Sequence, residues 1–379
     1  MNFETPESPN KTKVMMTTDT YTLSTSDYTN DYEDSAPCPI RETWRFFRSF
    51  APPAYFIIFF LAFVGNVLVV HVVRRYRRSR HSPCSYSLTD TFLLHLAISD
   101  LLLAIILPLF AIQWIKGWVF GVAMCKIVGA LFSLNIYCGV LFLACISFDR
   151  YLAIVHAVQT GWRRNTCLAQ VTCAVIWVCC LGLSAVDIHF RTVTTLPSDG
   201  SKVCLVQFSP GTHLKWQLTM QLLNLTLGFG LPLLVMLYCY IRIFRALCST
   251  SSRRQKKRSL RLIISLVAIF LICWAPYNAF KLTDSLLMLE WLLRSCDLEK
   301  VLDIGILVTE SLGLLHCALN PLLYGLVGVK FRRELVQMCK VWLGSFGLAR
   351  ELHSQGSSRR TTMSFSSEGE NTSYFSVMS

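Results

Sequence analysis

The sequence predicts an all-α membrane protein, a seven-transmembrane helix bundle followed by a short amphipathic eighth helix, on three observations. The 379-residue chain is 53% apolar and only 16% charged, where ordinary soluble domains carry about 25% charged residues. Its charges are gathered into short stretches between long apolar runs. Seven of those runs approach the roughly 20 residues a helix needs to cross hydrocarbon, where lipid offers no partner for backbone N–H and C=O groups.

The runs fall at 51–73, 88–115, 124–148, 166–188, 214–242, 259–282 and 301–329. The first, third, fourth and fifth contain uncharged stretches long enough to span unaided. The second and seventh carry Asp100 and Glu310, and the sixth has a basic start at Arg261. A formal charge of +13 invites a nucleic-acid reading, but its placement argues against that partner. Basic clusters follow spans one (Arg74, Arg75, Arg77), three (Arg163, Arg164), five (Arg253, Arg254, Lys256) and seven (Lys330, Arg332, Arg333). Alternate connections are therefore cytoplasmic by the positive-inside rule, which puts the N-terminus outside and the C-terminus inside. The first 50 residues lack the basic start and short apolar core of a cleavable leader, so span one is expected to act as the insertion signal.

Four parts result: an arm over 1–50, a bundle over 51–329, a membrane-surface helix over 330–345 and a tail over 346–379. The arm is rich in Thr, Ser, Asp and Pro and too polar to fold by itself. Between Asp19 and Asp34 it holds five acids and no base, with Tyr21, Tyr28 and Tyr32 among them. Asn10-Lys11-Thr12 is a glycosylation sequon on the outer side. Asn224-Leu225-Thr226 lies inside span five and Asn371-Thr372-Ser373 in the cytoplasm, so both read as accidental matches. After span seven, Phe331, Leu335, Met338, Cys339 and Trp342 alternate with basic residues at helical spacing, the pattern of a helix lying in the membrane surface. Cys339 there is a candidate for reversible acylation. Residues 354–379 form an unstructured tail rich in Ser and Thr.

Of sixteen cysteines, those within spans read as small apolar packing residues. Cys38, Cys125, Cys204 and Cys296 lie on the oxidising side, where disulfides form. Four thiols allow three pairings. The favoured one joins Cys125 of span three to Cys204 in the second outer loop, and Cys38 of the arm to Cys296 at span seven.

Ionisable groups at membrane depth are costly and mark function by default. Asp100 lies mid-span with Asn66, Asn135 and Asn320 at comparable depth. Such a knot of carboxylate and amides suits a sodium ion, and equally suits a hydrogen-bonded joint between helices. Pro108, Pro232, Pro276 and Pro321 each remove a backbone hydrogen bond and permit a kink. Cys273-Trp274-Ala275-Pro276 sets an indole beside one kink, and Asn320-Pro321-Leu322-Leu323-Tyr324 sets a phenol beside another. Asp149-Arg150-Tyr151 closes span three, placing a carboxylate next to an arginine that is otherwise read as snorkelling to the interface.

Together these marks resemble the rhodopsin-like G-protein-coupled receptors over residues 50–345: Gly65-Asn66, Leu96-Ala97-Ile98-Ser99-Asp100, Cys125 through Asp149-Arg150-Tyr151, Trp177, Pro232, the Cys273–Pro276 run and Asn320-Pro321 with Tyr324. Narrower runs are similar to chemokine receptors: Asp149-Arg150-Tyr151-Leu152-Ala153-Ile154-Val155-His156-Ala157, His316-Cys317 ahead of Asn320-Pro321, and the outer pair Cys38 and Cys296. Thr89-Asp90-Thr91-Phe92-Leu93-Leu94-His95-Leu96, Ala144 to Phe148 and Val327 to Arg332 look most like the type-three CXC branch. Three positions depart from the pattern. Ile106 stands where that family usually has Thr, Phe110 where it has Trp, and Gly139 replaces a Ser whose hydroxyl would serve a sodium site.

The resemblance implies a plasma-membrane receptor for a small basic chemokine, of the interferon-induced CXC type. It implies heterotrimeric G proteins of the inhibitory (Gi) class, leukocyte chemotaxis, calcium signalling, and arrestin and receptor kinases acting on tail residues such as Ser364, Ser366 and Ser367. The acidic arm would attract the ligand within the roughly 8 Å reach of charges at physiological salt, with sulfation of Tyr28 and Tyr32 adding fixed charge. Asp284 and Glu310 are candidate anchors for its flexible N-terminal segment, with Trp118, Phe132, Trp274 and Tyr277 as walls. An outward swing of helix six would open a groove floored by Arg150 for a G-protein helix. A non-signalling scavenger and a receptor for another peptide are the alternatives. A retinal pigment needs a lysine midway along span seven, and residues 301–329 contain none. No Ser/His/Asp or metal-ligand spacing faces one compartment, so neither an enzyme nor a cofactor is expected.

Overall fold

The computed structural model describes residues 41–79, 88–156, 166–195, 200–209, 211–248, 253–327, 336, 337 and 340. Its helices are α1 Arg41–Ser79, α2 Leu88–Lys116, α3 Gly121–Ile154, α4 Thr166–Phe190, α5 in three parts (His213–Leu225, Thr226–Gly230, Leu231–Cys248), α6 Arg253–Met288 and α7 Cys296–Val327. Between α4 and α5 lies a hairpin of β1 Arg191–Thr195 and β2 Lys202–Val206, antiparallel with Val193 opposite Cys204. Of the expected surface helix, Val336, Gln337 and Lys340 are described, and they are helical.

Six helices are long and apolar enough to cross a membrane among the described residues. The seventh helix, α6, carries no charged residue over 262–279, a stretch close to the length needed to span the hydrocarbon. Helix α3 runs through the middle, burying side chains from Cys125 to Tyr151. Helices α1, α4 and α5 instead expose apolar residues, among them Ile57, Phe60, Val175, Val178 and Leu234. In water such faces would drive aggregation. Against lipid tails they cost nothing.

Helix α1 begins ten residues before the expected start of span one, within the segment read as arm. Packing supplies the reason. Trp44 and Phe47 lie 5.4 and 5.3 Å from the ring of Trp114 on α2, and Phe46 stacks on Phe50 at 5.3 Å. Glu42 in the first turn also suits the helix dipole. The helix continues through Pro52 and Pro53, which sit past its opening turns.

Helix α5 contains a π-helical turn at Thr226–Gly230. Pro232 has no N–H to offer the Gly228 carbonyl, and the widened turn absorbs that loss. It also brings Gly228 against Tyr137 of α3, where an added Cβ would touch the ring at 3.6 Å. The Tyr137 hydroxyl donates to Asn224 Oδ1 at 2.6 Å.

Candidate functional site

At the hairpin end of the bundle, a disulfide joins Cys125 to Cys204 and fastens β2 to α3. The Cys204 N–H donates to Gln113 Oε1 of α2 at 2.9 Å. Held this way, the start of β1 lays Arg191 across Gly129 of α3. A Cβ at 129 would stand 2.0 Å from Arg191 Nε, so the approach needs glycine. The guanidinium donates to Asp187 Oδ1 of α4 at 3.3 and 3.0 Å, and the Ser133 hydroxyl donates to the other carboxylate oxygen. Sequence reasoning missed this pair. Its signal was present: an ionisable residue at the end of span four, with an opposite charge four residues on.

Within electrostatic reach of this pair, α6 places Tyr277, Lys281 and Asp284, and α7 places Glu310. Asp284 accepts from Gln221 Nε2 at 3.0 Å and from Lys281 Nζ at 3.2 Å. Glu310 is partly buried and makes no hydrogen bond or ion pair with the described residues. It feels Lys281 and Arg191 only at longer range. Asp187 and Asp284 are thus each answered by a base; Asp303 of α7 is exposed, and Glu310 is the partly buried acid left over. Phe132 packs edge-on against Phe110 at 5.9 Å, in the same cluster as Tyr55 and Trp114. Ile106 is buried in that cluster.

Trp118, expected as a wall, is only 2% exposed. Its Nε1 donates to the Gly121 carbonyl at 2.8 Å and its backbone N–H to the Lys202 carbonyl at 2.6 Å. The short connection turns at Gly117 and Gly121, both at positive φ, and tucks the indole in with Cys125 and Cys204. Trp118 therefore builds the hairpin's seat.

At mid-depth, Trp274 lies on Gly313 of α7, where a Cβ would meet ring carbons at 3.0 Å, and packs edge-on against Tyr277 at 5.8 Å. Below it, Asp100 accepts from Asn135 Nδ2 and from Asn320 Nδ2, each at 3.1 Å. Asn66 Nδ2 donates to the Ala62 and Cys317 carbonyls at 2.9 and 3.0 Å. Asn135 and Asn320 turn donors toward the carboxylate, while Asn66 Oδ1 and Asn320 Oδ1 are buried without a hydrogen-bond partner among the described residues. Gly65 of α1 meets Pro321 of α7 so closely that a Cβ would lie 2.9 Å from the ring.

At the opposite end, Arg150 lies 3.4 Å from Asp149, and both are buried. Thr89 of α2 joins the pair: its hydroxyl donates to Asp149 and accepts from the Arg150 guanidinium. Tyr151 shares a hydrogen bond with His156 Nε2 at 2.7 Å and packs on Tyr238 of α5. Ser147 and Tyr240 bond across the same seam.

Known proteins show the same plan. The model of the seven-transmembrane receptors of the rhodopsin family matches residues 65–324. C-X-C chemokine receptor type 3-2 of Danio rerio is 63% identical, covering 94% of this chain and 96% of that protein. The chain belongs to the CXC chemokine receptor family. C-X-C chemokine receptor type 3 of Homo sapiens is 40% identical over 92% of each chain, and the type 5 receptor of Rattus norvegicus 38% over 81% of each. Membership makes this a multi-pass membrane receptor rather than an enzyme.

Several expected sites of the receptor lie outside the described residues: Asn10, Tyr28, Tyr32, Cys38, Cys339 and the tail serines. So do the side chains of Tyr324 and of the basic run at 253–258. Cys296 at the start of α7 is disulfide-bonded.

Proposed function

We propose that this receptor sits in the plasma membrane with its N-terminus outside, binds a basic CXC chemokine at the hairpin end, and activates a G protein of the inhibitory class at the Arg150 end. The observation that carries the signalling half is the buried Asp149–Arg150–Thr89 group. A buried arginine bonded to the neighbouring carboxylate and to a hydroxyl of another helix is a joint that a shift of α2 against α3 would open. The relatives' names as chemokine receptors and the alternating basic connections support the ligand class and the orientation.

The acidic arm, with Tyr28 and Tyr32 sulfated and Asn10 glycosylated, draws the ligand in. A Cys38–Cys296 disulfide holds that arm to α7. The ligand's flexible segment then enters beneath the hairpin, where Glu310 takes a cationic group because Asp187 and Asp284 already have partners. Phe132, Tyr277 and Trp274 form the walls. Contact there biases the helices about Pro276 and Pro321, Arg150 leaves its partners, and a groove opens for the G-protein helix. Phosphorylated tail serines, placed there by receptor kinases, are read by arrestin.

A panel of chemokines applied to transfected cells, with calcium release, cAMP suppression and arrestin recruitment recorded, tests the whole. Binding without calcium or cAMP responses would reassign the receptor as a scavenger. Glu310→Gln removes the unanswered acid and is expected to lower potency at least tenfold at unchanged surface expression. Wild-type potency would exclude the anchor.

A further inference from the structure

The connection from α6 to α7 holds out four apolar side chains: Leu289, Trp291, Leu292 and Leu293, the last two in sequence flanked by Arg294. Trp291 is 76% and Leu293 94% exposed. Disorder does not account for this, because both ends of the loop are fastened. The Glu290 N–H donates to the Leu287 carbonyl and the Trp291 N–H to the Leu286 carbonyl, each at 3.1 Å. These two bonds are those of a Schellman cap, which fixes the backbone at Trp291. The left-handed position of that cap is Glu290, at φ 59, where glycine would sit without strain. On the far side, Ser295 Oγ accepts the Leu298 N–H at 3.2 Å, and Arg294 pairs with Glu299 at 3.5 Å.

The direction in which these side chains stand is set by α6 itself. Ile272, Leu282 and Leu289 are exposed at spacings of ten and seven residues, with Ala279 between them, which places them on one side of the helix. In a membrane-spanning helix an exposed apolar stripe is the lipid-facing side. The loop continues that stripe beyond the last helical turn, where hydrocarbon gives way to headgroups. An indole suits that depth, since its ring is apolar and its N–H can donate to ester oxygens.

We infer that the loop from Leu289 to Arg294 is a bilayer anchor, in which Trp291, Leu292 and Leu293 enter the headgroup region of the leaflet beside α6. Insertion by about 5–10 Å matches interfacial segments of this character. Because Arg294 is already paired with Glu299, the anchor takes zwitterionic phospholipid and does not require an anionic one. The inference needs only that the bundle spans a membrane. On the proposed orientation the leaflet is the outer one.

The test uses the full-length receptor in phosphatidylcholine nanodiscs, where either face is open to solvent, so a wrong orientation leaves it intact. Leu293→Cys carries a bimane label, Lys202→Cys on the hairpin serves as the aqueous reference, and the labelled wild-type chain gives the background from native thiols. A doxyl-labelled phosphatidylcholine is expected to quench the label at 293 at least threefold more than the label at 202. Soluble iodide is expected to quench it at least threefold less. Adding Trp291→Ser and Leu292→Ser to the labelled chain should halve the doxyl quenching. Equal iodide quenching at the two positions, or doxyl quenching at 293 no greater than at 202, would overturn the anchor.

Discussion

Replacing Arg191 by Met tests whether the hairpin is held to the bundle by charge. The substitution keeps a long apolar stem over Gly129 but removes the two donors to Asp187. Asp187 is 4% exposed, and the Ser133 hydroxyl remains its one other hydrogen-bond partner among those described. Removing one partner of a buried pair costs about 3–5 kcal/mol, because the remaining charge is left without compensation. The surviving Ser133 bond argues for the lower end, about 3 kcal/mol. In a thermal unfolding scan of detergent-solubilised receptor this corresponds to a fall of roughly 5–10 °C, scaling from soluble domains. The variant that adds Asp187→Asn removes the orphaned charge and should recover most of the loss, since replacing a whole buried pair is often near neutral. A single variant as stable as wild type would refute the reasoning. So would a double variant no better than the single.

Three further outcomes follow from close contacts elsewhere. Gly65→Ala places a Cβ 2.9 Å from the Pro321 ring, so α1 and α7 must part by a few tenths of an ångström at about 1–2 kcal/mol; Gly65→Val should lose most surface expression, measured by flow cytometry. Thr89→Ala removes a hydroxyl bonded to both Asp149 and Arg150. Hydrogen bonds to charged groups contribute about 1.5–3 kcal/mol, so basal nucleotide exchange on a Gi protein should rise about tenfold, and an unchanged basal rate would remove Thr89 from the joint. Cys125→Ser opens a disulfide spanning 79 residues, a loss of about 4 kcal/mol in the chain-entropy account, visible as a lowered unfolding midpoint that reductant no longer shifts.

The centres of the spans were legible because hydropathy is a sum over some twenty residues, and no single side chain upsets it. Their ends were less so. Residues 41–50 read as arm because charges and two prolines dominate the local pattern, yet the turn facing Trp114 is aromatic and packing decides. The carboxylate and amides of the mid-depth knot could be named in sequence because each is anomalous in lipid. Thr89 could not, since a threonine at a span end is ordinary until α2 is seen to cross α3 beside Arg150. Trp118 was misplaced for a related reason. Its chemistry suits a binding wall and a packed loop alike, and only the turn at Gly117 and Gly121 says which way it points.

Pro276 gains a physical meaning from the glycines of α7. Trp274 on one side of it lies on Gly313, and Phe280 on the other lies on Gly305, where a Cβ would come within 2.2 Å of the ring. The two rings are six residues apart and the two glycines eight, so the α6–α7 seam is keyed twice, once on each side of the missing hydrogen bond. A bend at Pro276 changes the distance between the keys, while their seats at Gly305 and Gly313 stay two turns apart on α7. At least one ring must then leave its glycine or carry α7 with it. Asn320 and Pro321 lie on the same helix, bonded to Asp100 and pressed on Gly65 respectively. A contact at Glu310, three residues from Gly313, therefore acts on a helix whose seats, knot and proline cannot shift independently. Proximity alone would not couple Glu310 to Arg150. A close-packed seam keyed at two glycines is the kind of element through which such coupling can run.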